Sequence, residues 1–157
     1  MKYKCRPHKK ENIKNESLNK INSINFRKEI MPDNYLPELF DINYKDEFNG
    51  TKSIKLLNNS LLISNPNPEL IDATKIDGEK WIQFWEDVEK IGLWDIKEEY
   101  VGCTLEGGFT WRIKILYQNK EIDSYGANIE PKIVIGDKIY SVLEELYKSI
   151  EELISLE

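Results

Sequence analysis

Two cysteines and one histidine are all the thiol and imidazole groups that this sequence offers to metal or nucleophile chemistry. Cys5 and Cys103 lie far apart and form no CxxC pair, which excludes a disulfide framework and supplies no zinc spacing. The histidine, His8, sits in a lysine-rich segment, so a Ser-His-Asp or Cys-His system would have to borrow its base from there. Neither a GxGxxG turn nor a Walker loop is present, which removes the ordinary signatures of dinucleotide and nucleoside triphosphate binding. No apolar run approaches the roughly 18 residues of a membrane span, and the N-terminus lacks the apolar stretch of a secretory signal. The expectation is a cytoplasmic protein with no cofactor, no metal and no membrane partner. Oxygen-only sites for magnesium or calcium stay open on composition.

What the chain does contain is enough for one folded domain. It has 157 residues, 40% of them hydrophobic and 32% charged, which excludes wholesale disorder and leaves no room for two full domains. Charge is unevenly spread. Met1 to Ile30 carries nine basic residues against three acidic ones, a net of +6, which leaves −12 for the rest. Residues 1–30 therefore read as a basic, partly ordered arm. Lys2, Lys4, Arg6, Lys9 and Lys10 are its candidate contacts to nucleic acid or another anion. The plainer reading is a solvated extension, and Tyr3 and Phe26 are too few aromatics for a base-stacking platform.

Periodicity then divides the chain. Ile13, Leu18, Ile21 and Ile24 loosely follow a helical repeat over 11–25. Pro32 and Pro37 mark a connector over 31–50, with the compact domain at 51–157. Thr51–Leu57 and Ser60–Ser64 predict a hairpin around Asn58-Asn59, because asparagine tolerates the positive φ such a turn requires, and Ile54 and Leu56 then meet Leu61 and Ile63. The Asn65–Pro68 run reads as a loop. Asp77 is a plausible N-cap for a helix over about 78–91 bearing Trp81, Phe84, Trp85 and Val88, with Gly92 ending it. Trp111, Ile113, Ile115 and Tyr117 alternate like a half-buried strand returning through Asn119-Lys120. Pairing Gln118 with Glu121 puts Ile122, Ser124, Gly126 and Asn128 on the Trp111 face, with Asp123 diagonal to Lys114. Gly136-Asp137 offers a cap for a second helix over about 138–155, along the Ile139, Val142, Leu143, Leu146, Ile150, Leu153 stripe. An α+β fold follows, an antiparallel sheet of hairpins with two main helices packed against it.

Candidate chemistry is sparse. Glu106 beside Gly107-Gly108, together with Asp123, is a possible acid/base pair, although a turn and an offset for Lys114 explain them as well. Four tryptophans within 81–111 can line a pocket or fill a core. Ser124, Gly126 and Asn128 are small or polar where a core-facing strand is normally apolar, so they imply a close backbone approach, a buried hydrogen-bond cluster or a pocket floor beside Trp111. Trp111, Ser124, Gly126, Asn128 and Glu106 are thus the candidate small-ligand residues.

The stretch from Trp81 to Pro131 resembles a family of small bacterial domains without an assigned activity. The likeness is carried by Trp81-x-x-Phe84-Trp85, Gly92-Leu93-Trp94, Tyr100, Glu106-Gly107, Trp111 and Ser124-x-Gly126-x-Asn128-x-x-Pro131. The family pattern has Asp-Gly where this chain has Glu106-Gly107, and a second tryptophan where it has Ile96. The resemblance implies a shared α+β scaffold and no reaction.

An acidic body without a catalytic constellation points first to a non-enzymatic protein-binding module of a bacterium or phage, of the immunity or defence-inhibitor kind, acting through its acidic surface. The abundance of Ile, Lys and Asn suits an AT-rich genome. The alternatives are a small-ligand binder or hydrolase at the Trp111 cleft, and nucleic-acid contact through the arm. Association through the second helix stays open, with Glu144, Glu145, Lys148, Glu151 and Glu152 marking its solvent side.

Overall fold

The computed structural model of the protein describes residues 34–65, 67–102 and 108–155. All belong to the unit Asn34–Glu157. The expected helix over 11–25, the basic candidates Lys2, Lys4, Arg6, Lys9 and Lys10, and Glu106 lie outside the described residues.

Nine strands and two α-helices follow one another along the described residues. The first four strands are β1 (Leu39–Asp46), β2 (Gly50–Leu57), β3 (Ser60–Ser64) and β4 (Pro68–Asp72). Helix α1 (Gly78–Lys90) comes next, then β5 (Glu99–Val101), β6 (Phe109–Tyr117), β7 (Lys120–Ala127), β8 (Lys132–Ile135), β9 (Lys138–Ser141) and helix α2 (Val142–Ile154). Seven strands form one sheet in the order β4-β3-β2-β1-β6-β7-β5, antiparallel throughout except where β5 runs parallel to β7. β8 and β9 make a separate ribbon. The expected α+β class with two helices against a sheet is the observed one.

Alternation in the strands sorts the two faces. Phe40, Ile42, Ile54, Leu61, Trp111, Ile113, Ile115, Ile122 and Ser124 are buried on one side, under Trp81, Phe84, Trp85 and Val88 of α1 and Val142, Leu143, Leu146, Ile150 and Leu153 of α2. The other side is polar. Lys55, Asp41, Lys114 and Asp123 stand in one row across β2, β1, β6 and β7, alternating in sign. Lys55 Nζ is 3.4 Å from Asp41, Lys114 Nζ is 3.5 Å from Asp123, and Arg112 grips Asp123 with Nε and Nη2 at 3.1 and 3.0 Å. These are surface pairs of modest energy, and their effect is to leave the open face close to neutral.

Several elements stand where the sequence puts them. Asn58 and Asn59 both have positive φ, and Ile54 pairs with Ile63 and Leu56 with Leu61. Asp77 accepts a hydrogen bond from the Glu79 amide at 3.0 Å, and Gly92 takes a left-handed φ of 65° after α1.

Four expectations are corrected. Residues 31–50 are not a mere connector, because β1 lies within them and occupies the sheet centre; the alternation of Phe40, Ile42 and Tyr44 outweighs the flanking prolines. Pro68 ends the expected loop and opens an edge strand, a position where its missing amide is harmless. The β6–β7 turn is Gln118-Asn119, so Tyr117 faces Lys120 and the register is two residues from the expected one. The period of two keeps the same residues on the core face, and the shift seats Trp111 opposite Gly126 and Asp123 directly opposite Lys114. The second helix starts at Val142 rather than near 138. Ser141 is its cap, accepting from the Glu144 amide at 3.3 Å, while Gly136-Asp137 turns the β8–β9 ribbon and leaves Ile139 exposed.

Because β1 is core and not tether, Phe40→Ala is expected to lower the unfolding free energy by about 3–5 kcal/mol in urea titration. A change near zero would return residues 39–46 to a peripheral role.

Candidate functional site

The residues singled out beside Trp111 do come together, but they close on each other. Gly126 faces Trp111 so tightly that a Cβ there would lie 2.4 Å from the indole nitrogen. The indole N–H donates to the Ile129 carbonyl at 2.7 Å. Ser124 Oγ donates to the Lys97 carbonyl at 2.6 Å, tying β7 to the segment ahead of β5. Asn128 adopts a left-handed φ of 59°, its Oδ1 accepting the Phe109 amide at 3.0 Å and its own amide donating to Phe109 O. A Cβ on Gly108 would come within 2.1 Å of that same Oδ1. Each small or polar residue of the Ser-x-Gly-x-Asn run thus meets a backbone or an indole, and the polar atoms are spent within the chain. Asp123, the other carboxylate considered for acid/base work, is held by Arg112 and Lys114. Among the described residues no group of three His, Cys, Asp or Glu side chains is placed to hold a metal.

An open groove lies elsewhere, between the β1–β2 turn and α2. Its volume is about 590 Å³. Tyr44, Asp46 and Lys52 line it from the hairpin, Glu130 from the segment after β7, and Leu143, Glu144, Tyr147, Lys148 and Glu151 from α2. Four carboxylates therefore face two ammonium groups across an aromatic and aliphatic floor.

Each wall is fixed by local chemistry. Asp46 closes the hairpin turn by accepting the Phe48 and Asn49 amides at 2.7 and 3.0 Å, and those bonds hold its pKa below the usual carboxylate range. Tyr44 stacks on Phe109 with ring centres 5.6 Å apart. Ser141 Oγ donates to Glu130 at 2.5 Å, so the hydroxyl that caps α2 also orients this carboxylate. Lys52 Nζ sits 5.9 Å from the centre of the Tyr147 ring. Burial first, and then Glu130, Asp46 and Glu144, raise the pKa of Tyr44, which places those three carboxylates electrically at the same spot.

No family model, curated protein or solved structure matches the chain. The site is therefore read from its own residues. In the sequence, Glu144 and Glu151 stand out only as part of a solvated helix face, and nothing local marks Tyr44, Asp46, Glu130 or Tyr147 as site residues. A usable signal was the helix face itself, where Glu144, Glu145, Glu151 and Glu152 far outnumber Lys148.

Two outcomes follow from these contacts. Gly126→Ala must displace the Trp111 indole and is expected to destabilise the fold by about 1–3 kcal/mol in chemical denaturation. The Tyr147 hydroxyl is buried without a hydrogen-bond partner among the described residues, and burial, then Tyr44, pushes its pKa well above the ordinary value. The fold thus favours the neutral phenol. The stability linked to it is complete below about pH 10, where an unfolded tyrosine titrates, and is lost as pH rises beyond that. Tyr147→Phe should flatten the alkaline fall in melting temperature and add about 1 kcal/mol at neutral pH, since it removes an unsatisfied oxygen.

Proposed function

We propose that this chain is a protein-binding module that receives a lysine- or arginine-rich segment of a partner protein in the groove between the β1–β2 turn and α2. The observation that carries the reading is the convergence of Asp46, Glu130, Glu144 and Glu151 around the rings of Tyr44 and Tyr147. A lysine or arginine has a long aliphatic stem and a charged end, and this groove offers aromatic surface to the first and carboxylates to the second. Complementary charge of this kind speeds association and rejects acidic competitors more than it raises affinity.

The acidic surplus suits the same use. Paired charges leave the open sheet face near neutral, whereas α2 carries four glutamates and one lysine on its outer side. Blocking a basic active site, as an inhibitor or immunity factor in a bacterial or phage-infected cytoplasm does, is the role this asymmetry favours. The enclosed contacts of Trp111, Ser124, Gly126 and Asn128 speak against the small-ligand alternative.

A short oligolysine peptide tests the groove directly by NMR titration. Amide shifts are expected to concentrate at Tyr44–Lys52, Glu130 and Leu143–Glu151, with affinity falling about tenfold or more between low and high salt. Charge reversal by Glu144→Lys with Glu151→Lys should abolish the shifts while leaving the melting curve in place. Shifts spread evenly over the surface, or unchanged in the double variant, would defeat the reading.

A further inference from the structure

We propose that Lys52 decides which basic segments the groove accepts: its ammonium already holds the aromatic seat for a cation, so a lone lysine is turned away and a segment with several neighbouring cations is admitted. That selectivity rests on the partner groove described above and adds the class of ligand to it. Lys52 stands opposite Tyr44 in the β1–β2 ladder, and its Nζ reaches to 5.9 Å from the centre of the Tyr147 ring on α2. Four carboxylates line the same groove, yet Lys52 forms an ion pair with none of them among the described residues. Two of the four are engaged elsewhere: Asp46 accepts the Phe48 and Asn49 amides, and Glu130 accepts the Ser141 hydroxyl. The chain has thus placed a cation of its own on the aromatic floor, where a partner's lysine or arginine would otherwise come to rest.

Exchange of one ammonium for another on the same ring gains little, because one cation returns to water for each that leaves it. Net attraction has to come from further cations on the same ligand. Glu144 and Glu151 can take them. Both line the groove from α2 without an ion pair among the described residues, about 10 Å apart along the helix, with Tyr147 between them. A segment carrying several basic residues displaces Lys52 with one of them and meets these glutamates with its neighbours. Specificity then comes from a built-in competitor that penalises the weak ligand, and not from a better fit to the strong one. Lys148 lines the same groove with the same charge but contacts no ring among the described residues, which separates the effect of seat occupancy from that of net charge.

NMR titration of the full chain with a terminally blocked single lysine and with a blocked oligolysine peptide tests this in two variants of equal charge. Lys52→Met keeps an aliphatic stem and removes the ammonium, whereas Lys148→Met removes the same charge away from the ring. Lys52→Met is expected to bind oligolysine about three- to tenfold more tightly than Lys148→Met, the scale of one lysine–ring contact. It should also show groove shifts with the single lysine that the native chain lacks. In the native chain the ε-methylene protons of Lys52 should carry a ring-current shift that fades as oligolysine is added. Lys52 is exposed, so melting curves are expected to coincide, and Lys52→Gln gives a second variant without the ammonium. Equal oligolysine affinities in the two methionine variants overturn the proposal, as does a single lysine that binds the native chain as tightly as it binds Lys52→Met; the groove reading survives either result. Absence of oligolysine binding to the native chain and to every variant overturns both.

Discussion

The pairing of β1 with β6 is the interaction on which the sheet depends. β1 to β4 form a continuous antiparallel meander, and β6, β7 and β5 form a second group, so the ladder from Leu39–Leu116 to Asp46–Phe109 alone joins them. Along it Phe40 meets Ile115 and Ile42 meets Ile113, all buried, and these pairs give both helices a common floor. The same ladder places Tyr44 opposite Trp111, so that the ring of Tyr44 reaches the groove while the indole fills the interior behind it. Candidate site and core are consequences of one register.

Buried tryptophan supplies the second constraint. An indole N–H shut away from water must find an acceptor, and ladder carbonyls are already engaged. Three of the four tryptophans solve this with carbonyls outside the strands and the two α-helices: Trp81 with Ala73, Trp85 with Tyr35 and Trp111 with Ile129. Trp85 also stacks face to face on Tyr117 at 3.9 Å. The indoles thereby pin the connecting chain to the core, which is why a sheet with several short edge elements holds its loops in place. Trp94 is the exception, its buried N–H having no hydrogen-bond partner among the described residues.

Local signals were legible and long-range ones were not. The Asn58-Asn59 turn, the Asp77 cap, the Gly92 stop and the inward face of β7 all rest on residues close in sequence, and each was readable. The role of β1 depends on a partner strand far along the chain, and prolines beside it masked its alternation. Ile139 shows a subtler failure. It sits three residues before Val142 and so matches a helical period, but Gly136-Asp137 forms a hairpin turn that places it in a ribbon instead. In the Ser124-x-Gly126-x-Asn128 run the oddity was visible, yet its partners, Lys97 O, the Trp111 ring and the Phe109 amide, come from elsewhere in the chain. The groove was less legible still, since its walls come from a hairpin, a loop and a helix that only the folded sheet brings together.

The position of β1 also has a consequence for the chain as it is made. During synthesis the β1–β4 meander can assemble as soon as it leaves the ribosome, because its contacts are local. Its inner edge, the one that β6 will occupy, is then an open row of amides and carbonyls bordered by Phe40 and Ile42, waiting on a helix and two further strands still to be translated. Such an edge invites pairing with any other nascent chain. The row of alternating charge on the opposite face gives this half-sheet a guard during that interval: Asp41 and Lys55 already stand together before Lys114 arrives.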